Sequence, residues 1–169
     1  MNKKYELTDE TKEIGGITLH RIRALRNIPR YGVRSGDLGG WIEAESNLSQ
    51  DGDAWVGGDA WVCGDAWVCG NAVVCGDARV NGNAVVSGNA EVKSVRDYAV
   101  FKNGWSSGRW FTYTRSNRMW RVGCFHGTGE ELIAKAYKDS ELSGKCYEAV
   151  VRAQEAIDRA IDEKEGGAK

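Results

Sequence analysis

Proline is nearly missing from this sequence: one residue in 169. Histidine is scarce too, with two residues, and neither falls between residues 47 and 101, where the chain is most regular. A helical or β-type enzyme that uses an imidazole base within that regular region is thereby excluded. No apolar run approaches the ~18 residues of a membrane-spanning helix. The basic start Met1-Asn2-Lys3-Lys4 is followed by no apolar segment, so no secretion signal is expected. With five cysteines, an odd number, this points to free thiols in a reducing cytoplasm. No phosphate-binding loop, Gly-x-Ser-x-Gly elbow or His-Glu-x-x-His pair occurs. Net charge is only −1, so the total says nothing about partners.

Acids are absent where it matters more. No Asp or Glu lies between Glu13 and Asp37, a stretch holding Arg21, Arg23, Arg26, Arg30 and Arg34. None lies between Asp97 and Glu130, which holds Lys102, Arg109, Arg115, Arg118 and Arg121 interleaved with Trp105, Trp110, Phe111, Tyr113, Trp120 and Phe125. By contrast, residues 51–100 carry seven acids and three bases. Two basic flanks bracket an acidic middle.

What is abundant is glycine, 22 residues, most of them punctuating a six-residue unit, Gly-Asp/Asn-Ala-x-Val-x. Its alanine recurs at Ala54, Ala60, Ala66, Ala72, Ala78, Ala84 and Ala90, and its valine two residues after each. The Ala-x-Val alternation is the period-two pattern of a short strand. The Gly-Asp or Gly-Asn pair supplies the left-handed backbone of a tight corner. Strand and corner of one fixed length predict a parallel coil with Ala and Val inside and x positions outside. Leu48 is expected in the Ala register of a weaker leading unit, and Asp97-Tyr98-Ala99-Val100 is expected to resume the pattern.

The repeat resembles the left-handed hexapeptide β-helix family, in which three hexads make one triangular turn. The resemblance implies about three turns and, as is common in that family, a homo-oligomer, a trimer. Trp55, Trp61 and Trp67 fill the outward position before Val and are candidates for an oligomer or partner surface. Cys63, Cys69 and Cys75 fill the position after it. Three hexads per turn put them on three faces, which disfavours a disulfide or zinc site within one chain.

The fold expected is therefore mainly β: an N-terminal β-hairpin cap (1–46), a short left-handed parallel β-helix (47–101), and a C-terminal β-hairpin plus two-helix module (102–169). The first hairpin turns at Gly15-Gly16. The second pairs around Ser116-Asn117, setting Tyr113 opposite Trp120 and Phe111 opposite Val122, with Trp110, Thr112, Met119 and Arg121 on the other face. His126 reads as a turn residue. Thr128 and Glu131 form a capping box. A second helix, about Gly144 to Glu163, carries Tyr147, Val150, Val151, Ile157 and Ile161 on one stripe.

The segments KYELTDET, GDLGGWIEAESNLSQ and GCFHGTGEEL resemble a group of phage and prophage hexapeptide-repeat proteins that share this three-part layout and vary the number of hexads. The group offers no catalytic residues to carry over. It implies a viral accessory protein working in a bacterial cytoplasm.

Arginine grips phosphate bidentately and aromatic faces stack on bases. Arg21, Arg23, Arg26, Arg109, Trp110, Arg115, Arg118, Trp120 and Arg121 are therefore candidate ligand contacts; if both basic flanks meet at one end of an oligomer or across its interface, they form basic aromatic pockets, and the sequence leaves open whether they do. The reading is a non-enzymatic protein, without cofactor or metal, that sequesters a small anionic, nucleotide-like host signal as a counter-defence. Docking on a host defence protein, or a structural role, is the alternative; an acyltransferase ranks last. The acidic middle disfavours a long nucleic acid.

Overall fold

The structure, a computed structural model, describes residues 3–167. Among them the fold is mainly β, with fourteen strands in several sheets and two helices at the C-terminal end. No helix among the described residues is long and apolar enough to cross a membrane.

Strands β1 (Tyr5–Ile14) and β2 (Ile17–Ala24) form the expected hairpin. Gly15 and Gly16 both have positive φ, 59° and 83°, the backbone that matches a two-residue turn to strand twist. Strand β3 (Leu38–Ile42) pairs antiparallel with β2 and parallel with β5 (Trp61–Val62), joining the hairpin to the repeat.

Each repeat unit gives one two-residue strand: β4 (Trp55–Val56), β5, β6 (Trp67–Val68), β7 (Val73–Val74), β8 (Arg79–Val80), β9 (Val85–Val86) and β10 (Glu91–Val92). They pair in parallel three units apart: Trp55 with Val73, Trp61 with Arg79, Trp67 with Val85, and Glu91 with Val73 on its far side. Three separate stacks result. The glycine opening each unit from Gly52 to Gly88 has φ between 63° and 68°, so a side chain there would be strained. Every Ala and Val of the repeat faces a common buried core. Each enclosed Val contributes roughly 1.5–3 kcal/mol.

A parallel stack leaves unpaired carbonyls at one end and unpaired amides at the other, and buried ones must find partners. At the first turn the partners are side chains of the N-terminal flank. The Lys4 ammonium donates to the carbonyl oxygens of Ala54 (2.7 Å) and Asp51 (3.4 Å). Asn47 Nδ2 donates to those of Gly64 and Ala66, both at 2.9 Å. Lys4 is fully buried; burial first, then the Arg26 charge, lowers its pKa to about 8, against the opposing pull of Asp53 and Asp51. At the last turn the C-terminal flank takes over. Thr112 Oγ1 accepts from the Val85 amide (2.8 Å) and Ser116 Oγ from the Glu91 amide (2.7 Å). The two flanks are lids, one rich in donors and one in acceptors.

Two register expectations are corrected. Leu48 bridges Val68, so it occupies the Val position and not the Ala position; the spacer Ser49–Asp53 is longer than a repeat corner and shifts the frame. The repeat also does not resume at Asp97. The Asp97 carboxylate closes a turn on the amides of Lys93 and Ser94, both at 2.8 Å. The chain then leaves the stack as β11 (Tyr98–Lys102), which pairs antiparallel with β12 (Trp110–Thr114).

Strands β12 and β13 (Met119–Val122) set Tyr113 opposite Trp120 and Phe111 opposite Val122, as expected. Strand β14 (Phe125–Gly127) adds a fourth strand and pairs His126 with Arg121. His126 is therefore a strand residue, with its ring against Gly88, and not a turn residue. One face of this sheet buries Phe111, Tyr113 and Trp120 against the helices. The other face meets the repeat, which is why Thr112 reaches Val85.

Helix α1 (Gly129–Asp139) starts at the Thr128–Glu131 capping box. Helix α2 (Glu141–Gly166) begins earlier than expected because Ser140 caps it, its side chain accepting from the Ser143 amide at 3.1 Å. Its buried stripe also differs. After Tyr147 and Val151 come Gln154 and Asp158, while Ile157 is half exposed. The Asp158 carboxylate accepts from the Tyr113 hydroxyl and from Gln154 Nε2, and this holds the polar face on the sheet.

Candidate functional site

Most of the candidate arginines are already satisfied within the chain. Strand pairing places Arg23 beside Glu6 (3.4 Å). Arg21 reaches Glu10 (3.2 Å) and the Gly39 carbonyl, and lies over the Trp41 ring. Arg26 bonds the Gly52 carbonyl at 2.6 Å and faces Asp53 at 3.5 Å. In the C-terminal flank, Arg115 pairs with Asp162 (2.5 Å) and Glu165 (3.2 Å), and Arg118 with Asp162 (3.4 Å). Both carboxylates come from α2, beyond the end of the acid-free run. Trp120 is buried among Phe101, Phe111 and Tyr113, its ring packed at a tilt against these core aromatics, and offers no face to a ligand.

Arg109, Trp110 and Arg121 come together. They line an open cleft of about 320 Å³ between the C-terminal sheet and the repeat, whose other wall is Asp65, Trp67, Asn83 and Val85, with Gly123 at the edge. Neither Arg109 nor Arg121 enters a salt bridge among the described residues, unlike Arg115 and Arg118 a few residues away. Trp110 is 43% and Trp67 39% exposed, and these are the two most exposed tryptophans among the large hydrophobics at the surface. The Lys102 ammonium lies 5.5 Å from the centre of the Trp110 ring, on the strand beside it.

Local folding explains the convergence. Trp110 and Thr112 alternate onto one face of β12, and Arg121 is the cross-strand partner of Thr112. Thr112 docks that face on β9 through its bond to Val85, so its neighbours must also face the repeat. From the repeat side, β6–β9 pairing stacks Trp67 directly on Val85. The cleft thus brings together two partly exposed indole rings, two guanidinium groups that enter no salt bridge among the described residues, and one carboxylate. Such a set can hold a planar group by stacking and an anion by bidentate hydrogen bonds.

The three outward tryptophans have different fates. Trp55 is buried by this chain's own β3, with the position of a Gly39 Cβ only 2.6 Å from its ring. It is not a partner surface. Trp61 is half-buried beside Leu19, Trp41 and Cys63, with the Arg79 guanidinium 5.9 Å from its ring. Trp67 alone of the three belongs to the cleft. Cys63, Cys69 and Cys75 follow β5, β6 and β7, in three different stacks. Burial raises the pKa of each thiol above its ordinary value.

The two basic flanks do not share this cleft. None of Arg21, Arg23 and Arg26 lines the cleft; the first hairpin docks at the first turn and the C-terminal sheet at the last. Asp65, Asn83 and Val85 were not singled out by sequence. Their signal was the three-unit stacking interval, which sets Asp65 under Asn83 and Trp67 under Val85, but nothing in the string says which of three stacks stays uncovered. No family model matches this chain, and no curated protein matches it.

Proposed function

We propose that the protein is a non-enzymatic binder of a small, nucleotide-like anion, held in the cleft of Trp67, Arg109, Trp110 and Arg121. The observation that carries this reading is the pairing of two exposed indoles with two arginines that have no carboxylate partner among the described residues. A free guanidinium keeps its full bidentate capacity for phosphate. An indole face can stack on any base, worth roughly 1–3 kcal/mol. Binding alone suffices for sequestration, and with it a counter-defence role of the phage type, exerted in a bacterial cytoplasm.

The scaffold fits a left-handed parallel β-helix of the hexapeptide type. That assignment is supported by the three stacks, the pairing three units apart and the glycine corners with positive φ. A homotrimer belongs to the same proposal. Its support is narrower than three outward tryptophans, since Trp55 is covered; light scattering tests it directly.

The test is the melting temperature of the purified protein against mononucleotides, dinucleotides, cyclic oligonucleotides and cyclic ADP-ribose isomers. A ligand at a hundred times its dissociation constant adds about 2.7 kcal/mol, several degrees for a chain of this length. A hit lost in Arg121→Ala and Trp110→Ala supports the reading. A flat panel overturns it and favours a host defence protein as target.

A further inference from the structure

Arg109 lines a second cleft as well. This one, of about 310 Å³, lies between the C-terminal sheet and the helices. Its apolar lining includes Val122, Phe125, Leu132 and Tyr147, and its charged groups are Arg109, Lys135 and Asp139. The two clefts adjoin at the β13–β14 turn: Gly123 belongs to the first and Cys124 to the second. Gly123 has φ 55°, and Arg109 Nη1 lies 3.5 Å from where a Cβ on it would sit. The guanidinium therefore lies across the ridge and belongs to both lobes.

The loop that presents Arg109 is prebuilt. The Asn103 amide donates to the Arg109 carbonyl at 2.8 Å. The Asn103 side chain, 2% exposed, donates to Ser106 Oγ (2.8 Å) and to the Tyr147 hydroxyl (3.0 Å), and accepts from the Ser106 amide (2.9 Å). Holding the arginine in place before a ligand arrives removes an ordering cost.

We infer that the two clefts are lobes of one site, and that its ligand carries two planar ends joined by an anionic linkage over Arg109, the chemistry of a dinucleotide. This rests on the reading of the first cleft as a nucleotide site. Each lobe is near the lower end of the volumes that hold small ligands, so a mononucleotide fills one and a dinucleotide fills both. Each lobe holds two cations against one carboxylate, and the shared cation sits at the centre, where an internal phosphate would lie. Trp67 and Trp110 stack one end. Val122 and Phe125, both half-buried, receive the other.

Calorimetric titration of the full chain tests this with 3′,5′-linked ApA and GpG, cyclic di-AMP and cyclic di-GMP, against AMP and GMP. At least one dinucleotide is expected to bind on the order of a hundredfold more tightly than its mononucleotide, because the second end binds as an intramolecular event. Cys124→Trp fills the second lobe from an exposed turn position. It should bring the dinucleotide down to the mononucleotide affinity and leave the mononucleotide unchanged. Lys135→Glu, on the exposed side of α1, should weaken the dinucleotide alone and guards against a folding defect in the first variant. Trp110→Ala should weaken both. Equal affinity for both ligand lengths, or no effect of Cys124→Trp and Lys135→Glu on the dinucleotide, overturns the two-lobed site while the first cleft stands. Binding of no nucleotide of either length overturns both.

Discussion

The arginines of the first hairpin and those of the C-terminal sheet cap opposite ends of the repeat in very different company. Arg21 and Arg23 lie on β2; on β1 alongside, Glu6 stands opposite Arg23, and Glu10, in the irregular stretch between Leu7 and Thr11, reaches Arg21. Their charge is answered inside the hairpin that bears them. Arg109 and Arg121 lie where the neighbouring surfaces supply Trp67, Trp110, Asn83 and Val85, with Asp65 as the single carboxylate. The difference teaches that an acid-free stretch of sequence is not an acid-free surface. What decides is the element packed against it, and a strand's nearest neighbour is often just outside the stretch being scanned.

The sharpest way to break this contrast is a matched pair of double variants. Arg109→Ala with Arg121→Ala should weaken nucleotide binding about a hundredfold or more, at roughly 1.5–3 kcal/mol for each hydrogen bond to a charged group. Arg21→Ala with Arg23→Ala should change it less than about twofold. Calorimetry on both reads the ratio, and equal losses would return the N-terminal flank to the site. The lids give the next largest effect. Asn47→Ala removes donors to two carbonyls and an acceptor for the Ala44 amide, and should cost about 2–3 kcal/mol in urea unfolding; Ser116→Ala, which removes one bond at an exposed edge, should cost about 1 kcal/mol or less. Within the cleft, Asp65→Asn removes its carboxylate and should tighten anion binding by about threefold, an effect that shrinks with added salt. The smallest change is expected from Glu6→Gln with Glu10→Gln. Freeing two exposed arginines should cost about 0.5 kcal/mol at most and create no nucleotide site, because no open indole cleft adjoins them; if it does create one, charge alone governs binding.

The repeat, both hairpins and the capping box were legible because each follows from strictly local chemistry: glycine at positive φ, alternation, a Thr-x-x-Glu frame. The frame of Leu48 was not, since a spacer of irregular length precedes the first full unit. The stripe of α2 misled because apolar spacing favours Ile157 and Ile161, whereas Asp158 finds the Tyr113 hydroxyl and turns that face inward. In the site, Arg109, Trp110 and Arg121 were visible as residue types. The partners that neutralise Arg115 and Arg118 lie some 44 to 50 residues later on α2, a distance over which a string carries no pairing signal.

The two lids have a consequence for length. Neither Lys4 and Asn47 at one end nor Thr112 and Ser116 at the other touches more than the turn beside it. Those four side chains are therefore indifferent to how many turns lie between. Three further units inserted together would add one storey of about 4.8 Å and leave their bonds as before, whereas one or two would present the wrong corner to them. Arg30 Nη2, which donates to Asn89 Oδ1 at 3.0 Å, and the Tyr31 hydroxyl on the Asn71 carbonyl act differently: they strap the N-terminal flank to later turns. The molecule behaves as a ruler graduated in whole turns, with one strap along its side that is cut to the present length.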